Sequence, residues 1–214
     1  MHFSSLIYII RISFITLLFS ISTLKAHPHS WVSVFTEIEG NDTHLTGFKM
    51  FWTFDLITTS DALSGEDVSE RKLPGTLKRL SREMLVNIKA NDYFTFLEWQ
   101  GKTLSFADPL QEKLILEDYK LTLSFFLPLQ KPLQLPITDL QLEIYEDTYY
   151  VDFLWLQKDD IQLSEQFRAN CAMNIIEANT TSEQIAYAAS LPKDAQGDSK
   201  LGAQFTQKLN INCL

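Results

Sequence analysis

The chain lacks most of what a nucleic-acid binder or a hydrolase needs. Its 18 Lys and Arg are outnumbered by 27 Asp and Glu, for a formal net charge of -9. Phosphate recognition requires clustered bases, so nucleic acid is excluded as a partner. Neither G-x-S-x-G nor H-E-x-x-H occurs, and no free Cys pairs with a base, which removes the usual routes to nucleophilic or zinc-dependent hydrolysis. After the first 26 residues no apolar run approaches membrane length, and there is no internal repeat or low-complexity tract. Only two cysteines are present, Cys171 and Cys213. An even count in an exported chain reads as one disulfide rather than a pair of thiolate ligands. It would close a loop of about 43 residues and contribute a nominal ~3 to 4 kcal/mol in the chain-entropy picture.

What is present begins with a leader. Arg11 precedes the apolar run Ile12 to Ile21, which Ser22-Thr23-Leu24-Lys25-Ala26 closes. The run is too short for a spanning helix, which needs about 20 apolar residues, and ends before a small residue, so residues 1–26 read as a signal peptide cut at Ala26-His27. Retained as an anchor, the segment would keep the chain on the membrane. Removal takes away Arg11 and Lys25 and moves the net charge from -9 to -11. The mature protein is then expected in the periplasm, not itself membrane-spanning.

The cut would expose His27-Pro28-His29-Ser30-Trp31, which holds two of the four histidines. A new α-amine titrates near ~8 and offers a neutral nitrogen close to physiological pH. With the His27 and His29 rings it makes three borderline donors within three residues, suited to a divalent transition metal: nickel, cobalt, zinc or copper. Pro28 has no N–H to give up, so square-planar binding through deprotonated backbone amides is blocked. An open site of the histidine-brace kind, or a tetrahedral zinc site, remains.

Further along, Trp31 to Glu39 alternates as a strand, with Val32, Val34 and Ile38 on one face. Gly40-Asn41-Asp42 makes a turn, and Leu45 to Asp55 returns as a second strand with Phe48, Met50 and Trp52 on one side. A hairpin turning near Asn41 pairs positions whose numbers sum to about 83, which sets His29 opposite Trp52 to Asp55. Asp55 is thereby nominated as a neighbour of the N-terminal histidines, and His44, at the turn, is removed. Residues 56–70 read as a solvated loop; the acid-x-acid spacing of a calcium loop is out of register. Leu73, Leu77, Leu80, Met84, Leu85 and Ile88 recur at helical spacing, so a helix is expected over 73–90, stopped by Asn91-Asp92. Strands follow at Tyr93 to Trp99, Thr103 to Phe106, Tyr119 to Leu127 and Leu140 to Tyr145, with Lys131 to Pro136 as a connection or edge. Asp152 stands between Val151 and Phe153, where an unpaired carboxylate would be costly to bury. Its partner is a Tyr hydroxyl, a backbone N–H, a metal or a ligating imidazole. The remainder reads as a strand at Phe167 to Ala178, a helix from Thr181 to Ala189, a polar loop through Pro192 to Lys200 and a last strand at Phe205 to Cys213.

These elements predict an α+β fold, mostly antiparallel sheet with one main amphipathic helix. The domain plan is a β-rich domain over 27–160 and a C-terminal α/β unit over 161–214 closed by Cys171 and Cys213. HPH-x-W, the strand ending WTFD (Trp52 to Asp55), IKANDYFTFLEWQGK (Ile88 to Lys102), YEDTYYVDF (Tyr145 to Phe153) and LGAQF (Leu201 to Phe205) with Cys213 resemble an uncharacterised family of bacterial periplasmic proteins. The resemblance covers essentially the whole mature chain. It implies association with nickel/cobalt-type permeases, and at matching positions a metal set drawn from His27, His29, Asp55, Asp147 and Asp152. Three functions stay open: a metal-binding accessory of an inner-membrane permease, a metalloenzyme using the same site, and a metal-free adaptor.

Overall fold

The computed structural model describes residues 28–167, 170–192 and 200–214. His27 and the leader lie outside these, as do residues 193–199 of the expected polar loop.

Strand β1 (Ser30–Gly40) and β2 (His44–Phe54) form the expected hairpin. In β1 every second residue from Ser30 to Ile38 is buried, the period that sends alternate side chains to opposite faces of a sheet. The register differs from expectation by three positions: Val32 faces Phe54 and Thr36 faces Met50, with an irregularity between Glu39 and Gly40. Asn41 causes it. Its side-chain oxygen accepts from the backbone N–H groups of Thr43 and His44, lengthening the turn.

Residues 56–70 depart from the reading as an open loop, because Leu56–Ala62 is a short helix, α1. Asp55 starts it, accepting at its side chain from the N–H groups of Ile57 and Thr58 as an N-cap does. Helix α2 (Leu73–Ile88) follows with Pro74 in its first turn and buries Leu80 and Leu85. It gives way to a 3-10 segment at Lys89–Phe94, where Asp92 and Tyr93 take positive φ and end the helix.

The chain continues through β3 (Thr95–Trp99), β4 (Lys102–Leu104), β5 (Leu110–Glu117), β6 (Lys120–Gln134), β7 (Ile137–Ile144), β8 (Val151–Leu154) and β9 (Ile161–Leu163). It ends with β10 (Cys171–Ile176), α3 (Ser182–Ser190), α4 (Leu201–Phe205) and β11 (Lys208–Cys213). No strand was expected at β5, and β6 runs on through Pro128 and Pro132 to Gln134, into the segment whose prolines suggested a connection or an edge. Pro128 lies opposite Gly47 at an irregularity between Leu45 and Gly47, where a missing N–H is tolerated.

Two sheets result. The first has the order β5-β6-β2-β1-β8, with β9 also on β1; the second has the order β10-β11-β7-β3-β4. The second is wholly antiparallel, whereas β8 and β9 both run parallel to β1. Buried side chains of both sheets, among them Phe48, Trp52, Leu123 and Phe125 of the first and Leu97, Leu142 and Ile211 of the second, belong to one continuous core. The fold is therefore α+β. Cys171 and Cys213 face each other across β10 and β11 and are disulfide-bonded. The segment 161–214 places β9 in the first sheet, and β10 and β11 in the second beside β7.

Candidate functional site

At the start of β1, Asp55 and Asp152 each lie beside Trp31, two residues after His29. The strand's first four residues lie against β8 in parallel, Ser30 beside Val151 and Trp31 beside Asp152. One step earlier, the N–H of His29 donates to the Tyr150 carbonyl at 2.9 Å, and the N–H of Ser30 shares that acceptor at 3.2 Å. The His29 ring lies on Tyr150, centroids 4.8 Å apart. Ser30 is buried and Trp31 exposed. Trp31 and its neighbour Asp152 therefore project from the outer face of the first sheet.

Asp55 tightens this end from the other side. Its Oδ2 accepts from the N–H of Trp31 and the Thr58 hydroxyl, both at 2.8 Å, and its Oδ1 from the N–H groups of Ile57 and Thr58 at 2.7 and 3.0 Å. The Asp55 N–H returns a bond to the Trp31 carbonyl at 3.1 Å, and the Thr58 hydroxyl lies 2.8 Å from that of Ser30. Four donors fill the four lone-pair directions of a carboxylate. Partial burial pushes the Asp55 carboxyl up, but the bonds from Trp31 and Thr58 outweigh it and hold the group below its usual range.

Asp152 has the opposite environment. Burial pushes its carboxyl up to about 6, against a hydrogen bond from the Tyr149 hydroxyl that works to lower it. Of the partners its place in an apolar strand suggested, the Tyr149 hydroxyl is the group that lies near it. Tyr149 is itself fixed: its ring stacks on Phe205 of α4 at 4.1 Å, and burial followed by the nearby Asp152 charge raises its pKa.

A family profile described as "Protein of unknown function (DUF1007)" matches residues 12–213. The chain belongs to that family. A protein of Haemophilus influenzae, described as uncharacterised, is 29% identical over 191 residues, spanning 88% of this chain and 91% of its own. No solved structure matches.

The span shared with the DUF1007 family takes in every residue of the candidate site. Two that carry no chemistry of their own proved to organise it. Glu146 accepts from the N–H and hydroxyl of Thr148 at 3.0 and 2.8 Å and from the N–H of Tyr150 at 2.8 Å, which bends the chain so that the Tyr150 carbonyl meets His29. Gly202 donates its N–H to the Asp147 carbonyl at 3.0 Å, and a Cβ there would lie 1.9 Å from the Glu146 carbonyl oxygen. Glu146-x-Thr148, an acid two residues before a hydroxyl, was the available signal for the first; nothing local marks the second.

The other expected residues sort by position. Asp147 is exposed on the turn, and its backbone carbonyl accepts from the N–H of Gly202. His44 is at the far end of the hairpin, its Nδ1 2.8 Å from the Thr43 hydroxyl. His27 falls outside the described residues. Among the described residues no group of three or more His, Cys, Asp or Glu is placed to hold a metal ion. Metal donors at this end come down to His29, to Asp152 once deprotonated, and to whatever His27 supplies. Beside Tyr149 a cleft of 350 Å³ opens between Pro28, Thr180, Ile185, Ala188 and Phe205.

Proposed function

We propose that the processed chain is a periplasmic accessory of a membrane metal transport system, taking a divalent nickel, cobalt, zinc or copper ion as cargo. In this reading the amine and ring of His27 and the ring of His29 bind the ion. Asp55 and Asp152 orient and complete the site, and Asp147 stands at its margin.

One observation carries the reading. Three separate attachments surround His29: the Tyr150 carbonyl on its own N–H, the Asp55 carboxylate on the next-but-one N–H, and Thr58 on the hydroxyl between. A strand end needs one such tie to stop fraying. Several fix the backbone of a donor in advance, which reduces the ordering cost when a ligand arrives. Metal handling of this kind also suits a chain with an excess of acids.

The test is equilibrium titration of exported protein whose N-terminus has been sequenced. His27→Ala and His29→Ala are each expected to weaken metal binding at least tenfold; because the half-buried His29 ring also packs on Tyr150, the affinity of each variant is read beside its apo melting temperature. Equal affinity in the wild type and both variants refutes the site, and an empty wild type leaves the metal-free adaptor. The cleft beside Tyr149 favours a second reading, a metalloenzyme with a histidine-brace-like centre and an organic substrate in the cleft. Peroxide- or reductant-dependent turnover by the metal-loaded protein would establish it.

A further inference from the structure

The first sheet is unequal at its two ends. At one end lie the start of β1, the end of β2 leading into α1, the turn from β5 to β6 and the start of β8, as their antiparallel and parallel pairings require. Five large side chains stand exposed there: Trp31 (48%), Leu56 (56%), Ile57 (65%), Tyr119 (86%) and Tyr150 (42%). Hydrogen bonds knit their backbones into one surface. Asp55 joins Trp31 to Ile57, Thr59 of α1 accepts from the N–H of Leu121 two residues beyond Tyr119, and Tyr150 accepts from His29. At the opposite end, the hairpin turn presents Asn41, Asp42 and Thr43 to solvent.

We propose that the apolar end is a membrane-docking surface, on which Trp31, Tyr119 and Tyr150 sit at the headgroup level of a zwitterionic bilayer while Leu56 and Ile57 enter the acyl boundary. The composition fits that depth. Trp and Tyr carry an apolar body and a polar tip and concentrate at membrane–water interfaces, and two branched aliphatic side chains supply the apolar area a peripheral anchor buries. Charge selects the lipid. A net charge of -11 once Arg11 and Lys25 are removed, with Glu117 and Asp118 outnumbering Lys120 around Tyr119, is repelled by an anionic surface, so the occupant is a zwitterionic one such as phosphatidylcholine or phosphatidylethanolamine. No metal is needed for this contact, so its failure would leave the metal-binding reading untouched.

The experiment uses exported protein with a sequenced N-terminus, freed of metal by chelation, and phosphatidylcholine vesicles with brominated acyl chains. Trp52 and Trp155 are buried and Trp99 belongs to the second sheet, so quenching by the lipid reports Trp31. Quenching of the wild type that is lost in Trp31→Phe, with vesicle co-sedimentation falling about tenfold in Leu56→Ser/Ile57→Ser, supports the proposal. All three side chains are exposed, so melting temperatures of the variants should match the wild type. Absence of co-sedimentation, quenching that survives Trp31→Phe, or co-sedimentation unchanged by the double substitution overturns it. Binding confined to anionic vesicles, or to a membrane protein and not to lipid, overturns it equally.

Discussion

Asp55 and Asp152 show how two carboxylates at one strand end can be driven apart by their surroundings. Asp152 prefers its proton in the folded chain, since burial lifts its carboxyl from 3.8 to about 6 against the pull of Tyr149. Its contribution to stability is therefore complete below about pH 4 and is lost as the pH rises through about 6. Asp55 has the opposite sign: held below its usual value, it supports the fold above pH 3.8 and withdraws that support only in acid. Asp152→Asn is expected to flatten the fall in melting temperature of the apo protein between about pH 4 and 6 and to leave the acid limb unchanged. An unaltered slope in a pH series of thermal melts would show that Asp152 does not set it. The cost of an acid between Val151 and Phe153 is legible in sequence. Which group relieves it is not, because Tyr149 reaches Asp152 only through the turn that Glu146 holds.

Among elements, the turn from Glu146 to Tyr150 and the short helix α4 behave as one piece. Gly202 allows α4 to approach the Glu146 carbonyl, and Phe205 of the same helix stacks on Tyr149. Gly202→Ala should push these apart, because backbone cannot yield as a flexible side chain does. A loss of about 2 kcal/mol or more is expected by urea denaturation, with shifted ring resonances of His29 as the turn carrying Tyr150 moves. A variant as stable as the wild type with unmoved His29 signals would contradict this coupling. Elements were legible where their pattern is local. The stripe on α2, the alternation in β1 and the Thr181 start of α3, where Thr181 and Gln184 exchange capping bonds, all read directly. The hairpin register did not, because the Asn41 side chain adds length to the turn that residue counting misses.

Across the whole molecule the disulfide serves the second sheet, while the candidate site sits at the end of the first. Joining Cys171 to Cys213 pins the outermost strand β10 to β11. The paired replacement Cys171→Ala/Cys213→Ala is expected to cost about 3 kcal/mol, the denatured chain regaining the freedom of a closed loop. Amide exchange should accelerate first in β10. Bonds at the start of β1 should keep their protection, since none of their partners belongs to the second sheet. Early loss of protection at Trp31 would mean that the shared core transmits the change.

The sequence by itself determined the fold class, the paired cysteines, the main helix and the strand that begins at the histidines, since hydrophobic period and spacing are properties of neighbouring residues. Only the tertiary structure decided that residues 146–152 close on His29. That depends on β8 lying parallel to β1, a pairing between distant segments that no local pattern encodes and that the common core enforces.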